Sequence, residues 1–287
     1  MTDPNRPLPR LTQAHAPLTR EVVAVDEYGR TRVVSIPAER DLTVYVDKRE
    51  LVTLMTLGAH PEWLVLGYLL NQRLVDSVDD IESVTVDWDV GAAAVTTCRG
   101  IERIEERTAR RVVTTGCGQG SVFGGLMDQI DRIALPISAS LLQSQLYRIV
   151  NAIRLKESTY KSAGSVHACA LFAGDQLQLF VEDVGRHNAV DTIAGWVSLQ
   201  HDLPAGEKVF YTTGRLTSEM VIKSAQMGVA LVVSRSGITQ MGHHIAERVG
   251  LCAIGRATHT RFLCYTHAHR LVLDDVPAAP AKAPEAA

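Results

Sequence analysis

The chain has 287 residues, 46% of them hydrophobic and 21% charged, with a formal net charge of -3. That length favours more than one core, and the balanced charge excludes the broad basic excess of a nucleic-acid or anionic-membrane binder. No apolar run reaches membrane-spanning length, and five scattered cysteines, odd in number, make no disulfide framework, so a cytoplasmic protein is expected.

The first residues carry Pro4, Pro7, Pro9 and Pro17 without an apolar core, which argues against a signal peptide and predicts a disordered arm over 1–18. A small α+β domain is expected over 19–110. Strands are predicted at Glu21–Val25, Thr31–Ile36 and Leu42–Val46, with a turn at Tyr28-Gly29. Leu51, Leu54 and Met55 have helical spacing. After Gly58, Pro61 suits the first turn of a helix running to Leu74, with Glu62 complementing its dipole. Strands around Val84–Trp88 and Ala92–Thr97 follow.

The segment 111–137 is predicted to be a glycine-rich cysteine loop and connection. Gly116, Gly118, Gly120, Gly124 and Gly125 surround Cys117, and Arg110 and Arg111 lie just upstream. A backbone so rich in glycine presents a thiol rather than packing it, and neighbouring guanidiniums favour the thiolate. A surface loop that happens to include a cysteine explains the local sequence equally well.

From 138 to 275 strands alternate with helices, which predicts a layered α/β domain. Leu142, Leu146, Ile149, Val150 and Ile153 make one stripe of a helix over Ser138–Glu157. Val166–Phe172 and Leu177–Asp183 read as a hairpin around Gly174-Asp175, then a helix over Asn188–Leu199. A strand at Lys208–Thr213, a helix at Thr217–Met227, a strand at Val229–Ser234 and a helix at Met241–Gly250 continue the pattern. Strands near Cys252–Gly255, Phe262–Tyr265 and Arg270–Leu273 close it, and 276–287 is expected to be a disordered tail.

Two junctions repeat a strand, glycine, arginine, helix order: Gly185-Arg186-His187 and Gly214-Arg215, the second followed by Thr217 and Ser218. Helix N-termini offer unpaired N–H groups, and arginine forks a phosphate, so convergence of the two would suit an anionic ligand. Asn188 and Thr217 are the expected helix caps. Paired loop charges, Asp183 with Arg186 or Arg215 with Glu219, are the plainer explanation. Cys264-x-x-His267-x-His269 has ligand-like spacing, but a strand would point Cys264 and His267 to opposite faces, so no metal site is expected. Cys98, Cys169 and Cys252 read as core residues.

Glu182 to Asp191, Thr212 to Lys223 and Ser234-Arg235-Ser236-Gly237 resemble signature blocks of the FdhD family of formate dehydrogenase accessory proteins, and the likeness spans about residues 20 to 273. The resemblance implies a homodimeric sulfurtransferase that takes sulfane sulfur from a cysteine desulfurase as a persulfide on Cys117. It passes the sulfur to the molybdenum or tungsten of a bis(molybdopterin guanine dinucleotide) substrate destined for apo formate dehydrogenase. It also implies a cytidine-deaminase-like layered α/β/α fold for the larger domain, and guanine nucleotides as partial mimics of the substrate. Gly185, Arg186, His187, Gly214, Arg215, Thr217 and Ser218, with Arg256, Ala257, Thr258, His259, Thr260 and Arg261, are the binding residues so implied.

Two positions depart from the family pattern. Many members have Cys-x-x-Cys in the loop, whereas here Gly120 replaces the second cysteine. The C-terminal binding stretch reads Gly255-Arg256-Ala257-Thr258 instead of Gly-Phe-x-Arg. Two rivals stand beside the sulfur carrier. A cofactor chaperone without sulfur relay is compatible with Gly120. A zinc deaminase would need His-x-Glu and Pro-Cys-x-x-Cys; His167-Ala168-Cys169 lacks the glutamate, and the chain has no Cys-x-x-Cys.

Overall fold

The computed structural model describes residues 7–101, 130–131, 133–200, 202–204 and 206–276. Cys117 with its glycine-rich loop, Arg110 and Arg111, and the tail from Pro277 lie outside the described residues.

The N-terminal half builds a five-stranded sheet. Its strands are β1 (Arg10–Leu11), β4 (Arg40–Val46), β5 (Arg49–Thr56), β6 (Ile81–Asp87) and β7 (Ala92–Thr97), in the order β1-β6-β7-β4-β5. A separate antiparallel ribbon joins β2 (Thr19–Val25) to β3 (Thr31–Pro37). Helix α1 (Pro61–Asn71) buries Leu64, Val65 and Leu69 with Leu42, Val44, Val84 and Val95 of the sheet. Pro61 stands in the first turn of α1, as the sequence predicts.

Two expectations need correction in this half. Leu51, Leu54 and Met55 lie in a strand: β5 pairs antiparallel with β4 and buries Leu51, Leu54 and Thr56 while exposing Thr53 and Met55. The β-branched Val52, Thr53 and Thr56 and the adjacent partner strand outweigh a three-residue helical spacing. The arm over 1–18 is ordered in its second part, because Arg10-Leu11 pairs parallel with β6. Glu62 accepts hydrogen bonds from the Thr12 hydroxyl (2.7 Å) and the Ala14 amide (2.6 Å), which ties the arm to the start of α1.

The C-terminal half carries a six-stranded sheet. Its strands are β9 (His167–Ala173), β10 (Gln176–Asp183), β11 (Lys208–Thr212), β12 (Leu231–Ser234), β13 (Cys252–Thr258) and β14 (Arg261–Cys264), in the order β10-β9-β11-β12-β13-β14. One face buries Val190, Ile193, Met220, Val221 and Ile245, from α4 (Arg186–Ser198), α5 (Ser218–Gln226) and α6 (Gln240–Val249). The opposite face buries Leu146, Ile149 and Val150 of α2 (Gln143–Leu155). The expected hairpin of β9 and β10 is present. Helix α2 starts five residues later than expected because Leu141-Leu142 is a short strand, β8, paired parallel with β15 (Leu271–Val272). A five-residue helix, α3 (Thr159–Ala163), follows α2.

Helices α1 and α4 join the two halves where Gly67 meets Gly195. A methyl group at Gly67 would collide with the Asp191 carbonyl, and one at Gly195 with the Trp63 carbonyl, so the helices touch backbone to backbone.

Candidate functional site

Strand β9 runs antiparallel to β10 and β11, whereas β11, β12 and β13 run parallel. The C-terminal ends of β10, β11, β12 and β13 and the start of β9 therefore share one edge of the sheet. Open α/β sheets place ligands at such an edge. Here it gathers Asp183 to Arg186, Thr213 to Arg215, Ser234 to Gly237, Thr258-His259 and His167.

Hydrogen bonds fix the turns to one another. The Gly214 amide donates to Thr212 Oγ1 at 3.0 Å, Ser234 Oγ donates to the Gly214 carbonyl at 2.7 Å, and Ser236 Oγ to the Thr213 carbonyl at 2.8 Å. Thr213 Oγ1 accepts from the Ala168 amide at 3.0 Å. Asp183 anchors the other turn, accepting from the Gly185 amide (3.0 Å), Asn188 Nδ2 (2.9 Å), the Leu57 amide (3.0 Å) and the Thr56 hydroxyl. The two Gly-Arg turns do approach one another: a Cβ at Gly214 would stand 3.1 Å from Arg186 Cδ. Burial lowers the pKa of half-buried His167, and the Arg186 and Arg215 guanidiniums lower it further.

Two cavities open from this edge. The larger, about 590 Å³, is lined by Arg154, Tyr160, Lys161, His167, Arg235 and Ser236 among others, and by Ala257, Thr258 and His259. Its one lining carboxylate, Glu182, is engaged by the Thr159 and Tyr160 amides at the start of α3. Arg154, Lys161 and Arg235 thus line a volume of the size that holds a small organic ligand, with the Lys161 ammonium 3.1 Å from Glu157 and Arg154 donating to Asn151 Oδ1 at 2.8 Å. His259 has a left-handed φ of 50° at the β13–β14 turn, and Arg256 a φ of 52° in a bulge after Gly255. Side chains seldom adopt such angles, and they concentrate at functional sites.

The smaller cavity, about 330 Å³, is lined by Gly185, His187, Asn188, Asp191, Glu219 and Lys223, with Tyr68 of α1. Lys223 lies 2.8 Å from Asp191 Oδ1 and 3.6 Å from Glu219, and Asn71 Nδ2 donates to Asp191 at 2.7 Å. Burial alone would lower the Lys223 pKa, but the Asp191 and Glu219 carboxylates hold it above its ordinary value. Burial and the Lys223 charge pull His187 down to about 3, so this imidazole is neutral beside Glu219.

The predicted residues therefore divide. Ala257, Thr258 and His259 line the larger cavity; Gly185 and His187 line the smaller; Arg186, Gly214 and Arg215 line neither. Arg256, Thr260 and Arg261 are exposed and outside both linings. Thr217 is the N-cap of α5 and Ser218 its first residue, but Thr217 Oγ1 makes no capping bond. Asn188 is not a cap, because α4 begins at Arg186 with Gly185 as N-cap; the Asn188 amide bonds Asp183 and the Met55 carbonyl instead. Asp183 likewise bonds amides and a hydroxyl rather than Arg186. Arg154, Lys161 and Tyr160 were outside the sequence expectation, since they come from α2 and α3, remote from the repeated turns. The lysine and arginine on a stripe opposite apolar residues gave no signal beyond that of a solvated helix face.

Cys169 and Cys252 are buried as expected, but Cys98 is exposed. Cys264 pairs with Cys252, Sγ to Sγ at 3.6 Å, and not with His267 or His269. Among the described residues, no three His, Cys, Asp or Glu side chains converge as a metal would require.

The sheet with helices on both faces and a basic cavity at its strand ends defines a mixed α/β protein. The chain matches the FdhD/NarQ family over residues 37–272. It belongs to that family. A sulfur carrier protein FdhD from Bacillus pumilus is 30% identical over 239 residues, covering 81% of this chain and 88% of that protein. The one from Bacillus subtilis is 28% identical over 233 residues, with 81% and 88% covered. A solved structure from Desulfotalea psychrophila, described as a formate dehydrogenase accessory protein, shares the fold with a TM-score of 0.71 at 22% identity, covering 89% of this chain and all of that one.

Proposed function

We propose that this protein is a sulfur carrier for formate dehydrogenase maturation that binds one guanine nucleotide arm of a molybdenum or tungsten bis-pterin guanine dinucleotide as its substrate. The observation that carries this reading is the basic cavity at the strand ends, lined by Arg154, Lys161, Arg235 and His259. Its volume, about 590 Å³, suits a single nucleotide rather than a complete bis-dinucleotide. Family membership and the names of the curated relatives support sulfur transfer. The strand order, with β9 antiparallel beside three parallel strands, supports the cytidine-deaminase-like reading of the larger sheet.

Cys117 is the proposed persulfide carrier. Its thiolate attacks the outer sulfur of a cysteine desulfurase persulfide, displacing the desulfurase thiolate; release of the new outer sulfur to the substrate metal as sulfide breaks the S–S bond, returns the Cys117 thiolate and takes two electrons from a thiol reductant. Gly120 leaves no second loop thiol to release sulfur by closing a disulfide there. The protein is proposed to work as a cytoplasmic homodimer between desulfurase and apo formate dehydrogenase. The test is to load the parent and Cys117→Ser with desulfurase and cysteine. The parent gains the mass of one sulfur atom and the variant does not. An adduct persisting in Cys117→Ser would move the relay to another residue; no adduct in either protein would favour the chaperone reading that Gly120 permits.

A further inference from the structure

The strands β13 and β14 hold two thiols that the functional reading does not use. Cys252 is fully buried in β13, and Cys264 is half-buried in β14, the last strand of its sheet. Ile254 is the direct partner of Cys264, and Cys252 lies two residues before Ile254 on the same side of the strand. The two sulfurs meet there at 3.6 Å, van der Waals contact, and neither is in a disulfide.

We infer that Cys252 and Cys264 form a redox-active dithiol, a modification site that reacts with low-molecular-weight disulfides such as glutathione disulfide and closes to an intramolecular disulfide. This inference is independent of the sulfur relay and of the nucleotide cavity. Closure needs the sulfurs to approach from 3.6 Å to about 2.05 Å, within reach of a side-chain rotation on a four-residue edge strand. Exposure sets the order of events, because Cys264 can meet a solute and Cys252 cannot. The hydrogen bond between them acts in the same direction. With Cys252 as donor it lowers the Cys264 pKa, and that bond together with burial raises Cys252.

In the first step the Cys264 thiolate attacks one sulfur of glutathione disulfide. A Cys264–glutathione bond forms, the glutathione S–S bond breaks, and one glutathione thiolate leaves. The Cys252 proton is lost to water as its sulfur becomes the nucleophile, and the departed thiolate takes up a proton in solution. The Cys252 sulfur then attacks Cys264 Sγ, the mixed disulfide breaks, and a second glutathione thiolate departs. Two protein thiols are oxidised and one glutathione disulfide is reduced to two thiols, so no further reagent is needed. The product links the two strands whose connecting turn carries Thr258 and His259 into the wall of the larger cavity.

The test uses the full chain equilibrated in glutathione buffers of increasing oxidised fraction, then alkylated in denaturant and digested. The expected result is a linked peptide pair containing Cys252 and Cys264, lighter by two hydrogens than the reduced pair and restored by a reductant. In Cys252→Ser, Cys264 should instead stop as the glutathione mixed disulfide. In Cys264→Ser, the enclosed Cys252 should remain a free thiol. Exposed Cys98 serves as an internal control for oxidant activity. Glutathionylated Cys98 with Cys252 and Cys264 both still free in the parent would overturn the proposal, as would linkage of either to a different cysteine.

Discussion

Asp183 collects four donors from three segments: Thr56 and Leu57 at the end of β5, Gly185 in the turn, and Asn188 in α4. Burial pushes its pKa up, and these hydrogen bonds oppose that shift. In Asp183→Asn one oxygen becomes an NH2 group facing donors. Hydrogen bonds to charged groups contribute about 1.5–3 kcal/mol, so a loss on the order of 3 kcal/mol is expected in urea denaturation; an unchanged midpoint would contradict the role. His187 supplies a pH signature. It is neutral in the fold, with a pKa near 3, but takes up a proton below about 6.5 once unfolded. The unfolded state therefore binds more protons between those values, and stability falls as pH drops from 6.5 toward 3. From pH 7 to 5 this one group removes on the order of 2 kcal/mol. His187→Gln should lose less stability than the parent over that interval, leaving the smaller slope of His167 and His60, whose pKa values are also lowered. Equal slopes in parent and variant would refute the assignment.

At the scale of elements, the joint between the sheets depends on two helices touching at Gly67 and Gly195. Glycine inside a helix costs up to about 1 kcal/mol relative to alanine, so its presence in both helices calls for a packing reason. Gly67→Ala and Gly195→Ala should each cost roughly 3 kcal/mol, at the upper end of overpacking penalties, because the opposing atoms are backbone. Thermal denaturation reads the effect, and a raised melting temperature in either variant would contradict the close crossing. Most helices and strands were legible in the sequence where periodicity was sustained: β9 and β10 around Gly174, α5 after Gly214, and α6 before Gly250. β5 was misread because Leu51, Leu54 and Met55 fit a helix locally, and only pairing with β4 resolves the ambiguity. The helix-crossing glycines were overlooked because the contact joins residues far apart in the chain.

At the scale of the molecule, the repeated Gly-Arg junctions fall at one sheet edge, since a strand-turn-helix order puts each turn at a strand's C-terminal end. Which side chains face which cavity was not legible. That division depends on the strand order and on α2 and α3 folding over the edge, so Arg154 and Lys161 arrive from another layer while His187 turns toward α1. In the proposed function the phosphate-binding charge lies on the larger cavity's wall, which Arg235 lines. Calorimetric titration of guanosine diphosphate into the parent, Arg235→Ala and Arg256→Ala tests this most directly. Losing one charge-assisted hydrogen bond of about 1.5–3 kcal/mol predicts roughly ten- to a hundredfold weaker binding to Arg235→Ala, with Arg256→Ala, outside the cavity lining, close to the parent. Parent-like affinity in Arg235→Ala, or no binding to the parent, would contradict the claim.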